Sequence, residues 1–120
     1  MIELELPFPP SVNTYWRNFH GRMLISKKGR DYRKAVADIV LLNRAAKFYQ
    51  GKIKMTIKAW RPDERKRDLD NLLKAPLDAL THAGVYLDDH LIVHLTIYWA
   101  DDKGGKLNIT IEEIQNDVQR

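Results

Sequence analysis

The segment KIKMTIKAWRPDERKRDLDNLLK, residues 52–74, decides the fold. Its first half alternates. Ile53, Met55, Ile57 and Ala59 fall on one side of an extended chain, and Lys52, Lys54, Thr56 and Lys58 on the other. A period of two predicts a strand from Lys52 to Trp60 with one face in the core. Arg61-Pro62 breaks it, and the basic run Arg65-Lys66-Arg67 leads into Asp68 and Asp70. A helical pattern follows. Leu73, Leu77 and Leu80 mark its buried face, Asp70 or Asn71 is its expected cap, and Gly84 ends it. Pro76 inside that helix is expected to kink it. The segment is therefore strand, loop, helix, and loops set on a rigid sheet are common homes for functional residues.

Upstream, Ile2, Leu4 and Leu6 alternate with Glu3 and Glu5, a half-buried strand that Pro7, Pro9 and Pro10 bring to an end. Residues 13–25 read as a loose hairpin or ordered loop around Phe19-His20-Gly21, with Asn13 capping the turn after the prolines. Ser26 is the expected N-cap of a helix running to about Gln50, with Gly51 as its C-cap. Ala35, Ile39, Leu42, Ala46 and Tyr49 recur at helical spacing, and Val36, Val40 and Leu41 widen that face. Downstream, Leu91, Val93, Leu95, Ile97 and Trp99 define one face of another strand. After a turn at Asp101–Gly105, Leu107, Ile109 and Ile111 make a last strand, expected to pair antiparallel with the one before. The polar tail from Gln115 is expected to fray. The predicted order is β-(hairpin)-α-β-α-β-β. It is an α+β fold, an α/β sandwich with a mixed sheet of about four or more strands and two helices.

The 120 residues fit one domain spanning 1–120. Hydrophobic residues at 44% and charged residues at 30% indicate a soluble globular chain. No apolar run is long enough for a membrane span, and no signal segment opens the chain. With no cysteine there are no disulfides or thiolate metal sites, which fits a cytoplasmic setting. Against 16 Asp+Glu stand 20 Lys+Arg, a net charge of +4. If several acids gather in one site, the remaining surface is more basic than that sum.

The chemistry concentrates at Asp68, Asp70, Asp88 and Asp89. In an extended chain, residues two apart share a face, so Asp68 and Asp70 can address one ion, and a chain that turns back after Gly84 can add Asp88 or Asp89. Hard carboxylate oxygens suit Mg²⁺, and Arg65, Lys66 and Arg67 beside them suit a phosphodiester. The competing reading is structural: a helix cap for Asp68 and Asp70, a turn for Asp88-Asp89. Lys74 falls four residues after Asp70 on the same helix side; its plain alternative is a surface salt bridge with Asp70 or Asp78. Arg17 and Arg22 suit phosphates. Tyr15 and Trp16 either stack on an unpaired base or cover the core, and burial of large aromatics favours the core for Trp16. Lys27, Lys28, Arg30, Arg33 and Lys34 oppose the dipole at a helix start; either a phosphate backbone compensates or the face is simply solvated. His90 and His94 are read as structural, because Mg²⁺ sites rarely use imidazole.

Residues 67–74 spell R-D-L-D-N-L-x-K, and residues 77–89 spell L-D-A-L-x-x-A-G-x-x-L-D-D. Together with Pro9-Pro10-Ser11, Asn13, Tyr15, Arg17, Gly21-Arg22, Ser26, Gly29 and Tyr32-Arg33, this resembles the RusA-type Holliday-junction resolvases of bacteria and their phages. The resemblance covers nearly the whole chain. It implies a Mg²⁺-dependent endonuclease acting as a homodimer on four-way DNA junctions, bacterial or phage-encoded. By position, it implies Asp68, Asp70 and Asp89 as essential carboxylates and Lys74 as a catalytic or phosphate-binding helper. The residues expected to meet DNA are Arg65, Lys66, Arg67, Arg17, Arg22, Lys27, Lys28 and Arg33. The alternative is a junction-binding protein without nuclease activity, its aspartates serving only as caps and turns. A phosphoryl-transfer enzyme for a small substrate would carry a glycine-rich phosphate loop, and the sequence has none.

Overall fold

The structure is a computed structural model and describes residues 1–114; the expected fraying from Gln115 lies outside the described residues. In chain order the elements are β1 (Ile2–Pro7), α1 (Val12–Tyr15), β2 (Trp16–Phe19), β3 (Arg22–Ile25), α2 (Lys27–Leu42), β4 (Ile53–Arg61), α3 (Lys74–His82), β5 (Ile92–Lys103) and β6 (Lys106–Glu113). Two 3-10 turns, Leu69–Leu72 and Asp89–Leu91, precede α3 and β5.

β4 is realised as its alternation predicts: Ile53, Met55, Ile57 and Ala59 are fully buried. It lies inside a four-stranded mixed sheet of order β1-β6-β4-β5. The inward rows of β1, β4 and β6 join Val36 and Val40 of α2 and Ala75, Ala79 and Leu80 of α3 in one apolar cluster. The expected α+β class, with helices on one face of a mixed sheet, is what the chain adopts.

Three expectations about the later strands and α2 change. The last two strands do not pair. β4, α3 and β5 form a parallel strand-helix-strand unit, which seats β5 on one side of β4 and leaves the other side for β6. The turn between β5 and β6 steps over the end of β4, where the Gly104 N–H donates to the Arg61 carbonyl at 3.0 Å. Second, Val93 does not share a face with Leu95. Ile53 pairs with Ile92 but Lys54 with His94, so Val93 is the extra residue of a bulge. A bulge inverts the alternation downstream, which places Ile92, Leu95, Ile97 and Trp99 on the β4 core-side rows.

Third, α2 starts where expected, with the Ser26 hydroxyl accepting from the Gly29 N–H at 3.0 Å, but it stops at Leu42 rather than near Gln50. Asn43 caps it, its side chain donating to the Ile39 carbonyl at 2.8 Å, and Arg44 turns left-handed at φ 52°. The buried stripe is Tyr32, Val36 and Val40; Leu41 and Leu42 face solvent. Released from the helix, Tyr49 instead forms a parallel bridge to Tyr86.

The hairpin is real: β2 and β3 pair through a His20-Gly21 turn with φ 51° and 76°, the double positive φ that tight hairpins need. The four-residue α1 ahead of it carries no pattern long enough to read. α3 begins at Lys74, later than its expected cap, with Leu73 at the N-cap. Pro76 is thus in the first turn of α3, where no intrahelical N–H is lost and the reason to expect a kink falls away.

Candidate functional site

β4 hands the chain to the basic loop at its carboxyl end, and α3 returns it to the start of β5. Asp68 and Asp70 therefore stand before α3, and Asp88 and Asp89 beyond its far end. Asp68 is extended (φ −87°, ψ 136°), whereas Leu69 and Asp70 already belong to the 3-10 turn. The shared face expected of a wholly extended Asp68–Asp70 pair is replaced by that turn. Among the described residues no group of three or more His, Asp or Glu side chains converges into a ready metal cage.

Asp68, Asp70 and Asp89 do no work within the described part of the fold. Asp68 occupies the N-cap of the first 3-10 turn, yet its carboxylate makes no capping bond. Among the described residues, none of the three carboxylates accepts a hydrogen bond or forms an ion pair, so the capping reading fails for them. The neighbouring acids are all engaged. Asp63 takes Arg67, Asp78 takes Arg33 and Tyr15, and Asp88 takes the Asp89 N–H at 2.9 Å and His90 Nδ1 at 2.6 Å. Asp88 is thus a true turn residue, and its carboxyl is held below its ordinary value by His90 first and then by that backbone N–H.

The basic loop is ordered by a residue the sequence reading passed over. Asp63 accepts from Nη1 and Nη2 of Arg67 at 2.6 and 3.1 Å and from the Arg65 N–H at 2.9 Å. The guanidinium of Arg67 also lies 5.5 Å from the Phe8 ring centroid. The available signal was the four-residue spacing from Asp63 to Arg67. Hydrogen bonds from Arg67 and then Arg65 hold the Asp63 carboxyl far below the usual carboxylate range.

Lys66, Arg67 and Asp68 share a cleft of about 230 Å³ with Phe8, Ser11 and Asn71. It adjoins a second groove of about 400 Å³, where Lys28 of α2 faces Arg65, Lys66 and Arg67. The fold thus brings four of the expected DNA-contacting residues to one trough ending at Asp68. A larger cleft of about 570 Å³, on the side of the loop facing the β5–β6 turn, is of mixed charge: Arg61 and Lys103 join the basic loop there, opposite Glu64, Asp101 and Asp102.

The remaining candidates divide. Arg17 and Arg22 are exposed on the hairpin, with Arg17 5.1 Å from the Phe19 ring centroid. Lys27 pairs with Asp31 at 2.8 Å. Arg33 is turned inward to Asp78. Lys74 makes no salt bridge to Asp70 or Asp78; its Nζ lies 5.5 Å from the Trp16 ring centroid. Trp16 is half-buried against Tyr15.

A basic trough of Lys28, Arg65, Lys66 and Arg67 that ends at the idle carboxylate of Asp68 has the chemistry to receive a phosphodiester. A family model described as endodeoxyribonuclease RusA matches residues 7–112. A crossover junction endodeoxyribonuclease of Enterobacteria phage 82 is 43% identical over 115 residues, covering 95% of this chain and 96% of that protein. Those of phage HK97 and of Escherichia coli K12 are 41% and 42% identical over the same shares of each chain. The chain belongs to the RusA endodeoxyribonuclease family.

Proposed function

We propose that this protein is a Mg²⁺-dependent, structure-selective endodeoxyribonuclease that resolves four-way DNA junctions by paired phosphodiester hydrolysis in recombination and repair. The observation that carries the reading is that, among the described residues, Asp68, Asp70 and Asp89 have no partner, while Asp63, Glu64, Asp78 and Asp88, the acids nearest them along the chain, are engaged. Their oxygens are the hard donors Mg²⁺ prefers, and Mg²⁺ needs only one or two carboxylates, completing its shell with water and substrate phosphate. The donor set therefore fits the ion without a preformed three-carboxylate cage. When bound, the ion supplies Lewis acidity and makes a water easier to deprotonate.

The chain's own residues do the rest. Lys28, Arg65, Lys66 and Arg67 line the trough and hold the backbone without reading sequence. The Lys74 ammonium, without an ion pair among the described residues and lying over Trp16, would meet charge that builds on the phosphoryl oxygens. Arg17 and Arg22 extend the basic surface along the hairpin.

The acting form is a homodimer on branched DNA, since a junction offers two symmetric strands to a two-fold protein. The open edge of the sheet supports this. Among the described residues β5 has no neighbour on its outer side; it holds no Asp, Glu, Lys or Arg from Ile92 to Ala100, and exposes Val93 at 56%, Leu95 at 37% and Tyr98 at 44%. The opposite edge, β1, carries Glu3, Glu5 and Pro7, which discourage strand addition. No helix among the described residues is long and apolar enough to cross a membrane. With relatives in phages and in Escherichia coli, the reading carries a cytoplasmic site of action. Cleavage of a labelled four-way junction in Mg²⁺ and in chelator tests the whole proposal; uncut junction in both, with binding retained, would leave only a junction-binding protein.

A further inference from the structure

We infer that Arg33 is a positioning residue for Lys74: by occupying Asp78 it keeps Lys74 out of an ion pair within α3. The inference rests on the reading of Lys74 given above. Lys74 and Asp78 are four residues apart on one helix, neighbours on its surface, and such pairs form readily. A captured Lys74 would bring a neutralised charge to the substrate. The structure shows a different arrangement. Asp78 Oδ2 receives Arg33 Nε from α2 at 2.8 Å and the Tyr15 hydroxyl from α1. This ion pair is sheltered, its side chains 25% and 20% exposed, against 80% and 65% for the Lys27–Asp31 pair on the open face of α2.

The choice between the two cations follows from their hydration. A guanidinium is weakly hydrated and suits a half-buried carboxylate, whereas an ammonium is strongly hydrated and loses more on entering that seam. Arg33 therefore takes Asp78. Lys74 is left at the surface with its ammonium 5.5 Å from the centre of the Trp16 ring, a distance at which a cation is attracted to the π face without surrendering its hydrogen-bond donors. Tyr15 ties the parts together. Its hydroxyl is on Asp78, and its ring meets Trp16 edge-on with centroids 5.4 Å apart. The network thus fixes both what Lys74 leaves alone and what it rests on.

The test is cleavage of a synthetic four-way junction in Mg²⁺, with kcat and KM read separately. R33Q is expected to lower kcat about ten- to a hundredfold, as small displacements of a catalytic group do, with KM within about twofold of wild type. R33K, which can still pair with Asp78, should stay close to wild type. R33Q/D78N should recover most of the lost rate, because the asparagine cannot capture Lys74. In a K74A background, R33Q should cause no further loss. If R33Q does not fold, the R33Q/D78N variant decides, since it leaves no unpaired carboxylate in the seam. Failure of R33Q/D78N to recover, a wild-type kcat for R33Q, or a loss confined to KM overturns the inference. A wild-type rate for K74A alone overturns the reading of Lys74 itself, which is a separate result.

Discussion

Asp63 grips Arg67 with both carboxylate oxygens, at 2.6 and 3.1 Å, one residue before Asp68. The clamp spans the basic loop and sets the backbone that delivers Asp68. It also titrates. Because the folded Asp63 carboxyl lies below its unfolded value, its contribution to stability is present above about pH 3.9 and is lost as pH falls through the folded value. Wild type is therefore expected to melt above Asp63→Asn at neutral pH, with the gap closing at the acid end. Melting curves across that range check it, and a gap independent of pH would exclude the clamp.

Junction binding should weaken steeply with salt, and the basic loop should carry a measurable part of that slope. Each phosphate contact contributes roughly 0.9 to the slope of log K against log salt. Replacing Arg65, Lys66 and Arg67 together by alanine should flatten it by about two to three. Titrations at several salt concentrations read this directly, and a wild-type slope in the triple variant would place the loop away from phosphate.

Asp70→Asn should abolish cleavage and leave junction affinity within about threefold, because affinity comes from lysines and arginines while the carboxylate serves the ion and the chemistry. Asp68→Asn and Asp89→Asn should behave alike, and Asp88→Asn should be milder, since Asp88 already holds its turn through His90 and the Asp89 N–H. Mg²⁺ should raise the melting point of wild type by mass action and that of Asp70→Asn less. Normal cleavage by Asp70→Asn would remove it from the site.

The sequence made the elements legible wherever one periodic signal acted alone. β1 and β4 alternate cleanly, and their buried rows are as read. Pairing partners were not legible. The β4–β5 neighbourhood is imposed by the crossover through α3, a relationship among three segments that no single window contains. The parity change at Val93 was hidden because a bulge leaves an apolar run looking regular. The end of α2 was overrun because Leu41 and Leu42 continue an apolar pattern that the structure leaves in solvent. Asp68, Asp70, Asp89 and Lys74 were candidates on the strength of the motif. The partners that hold the neighbouring residues were not: Phe8 beneath Arg67 and Trp16 beneath Lys74 are brought in by folding from distant stretches of chain.

Gly84 closes α3 in a left-handed conformation, φ 84°, and a Cβ there would stand 2.7 Å from the Phe48 ring. Two costs coincide, backbone strain and a clash, so Gly84→Ala should destabilise the fold by about 1–3 kcal/mol. Gly84→Ala/Phe48→Ala should regain the part owed to the ring but not the part owed to φ. Urea unfolding of the two variants separates them, and a wild-type midpoint for Gly84→Ala would show that the turn relaxes freely.

The outer edge of β5 should be where two copies meet. A strand with no Asp, Glu, Lys or Arg from Ile92 to Ala100, and with Val93 at 56% exposure, would template aggregation if it stayed bare. A two-fold axis across it lets β5 pair antiparallel with its own copy, satisfying unpaired backbone groups on both chains at once. A lysine on such an edge is the usual obstacle to strand addition. Val93 suits the substitution because its side chain is not part of the core, so the monomer fold has little to lose. Sedimentation should find wild type dimeric and Val93→Lys monomeric at the same concentration, with circular dichroism unchanged. The monomer should still bind a junction through its basic trough, more weakly, and should lose paired incision more than single nicking. A dimeric Val93→Lys would move the interface elsewhere on the surface, and a monomeric wild type that still makes paired cuts would remove the need for a dimer.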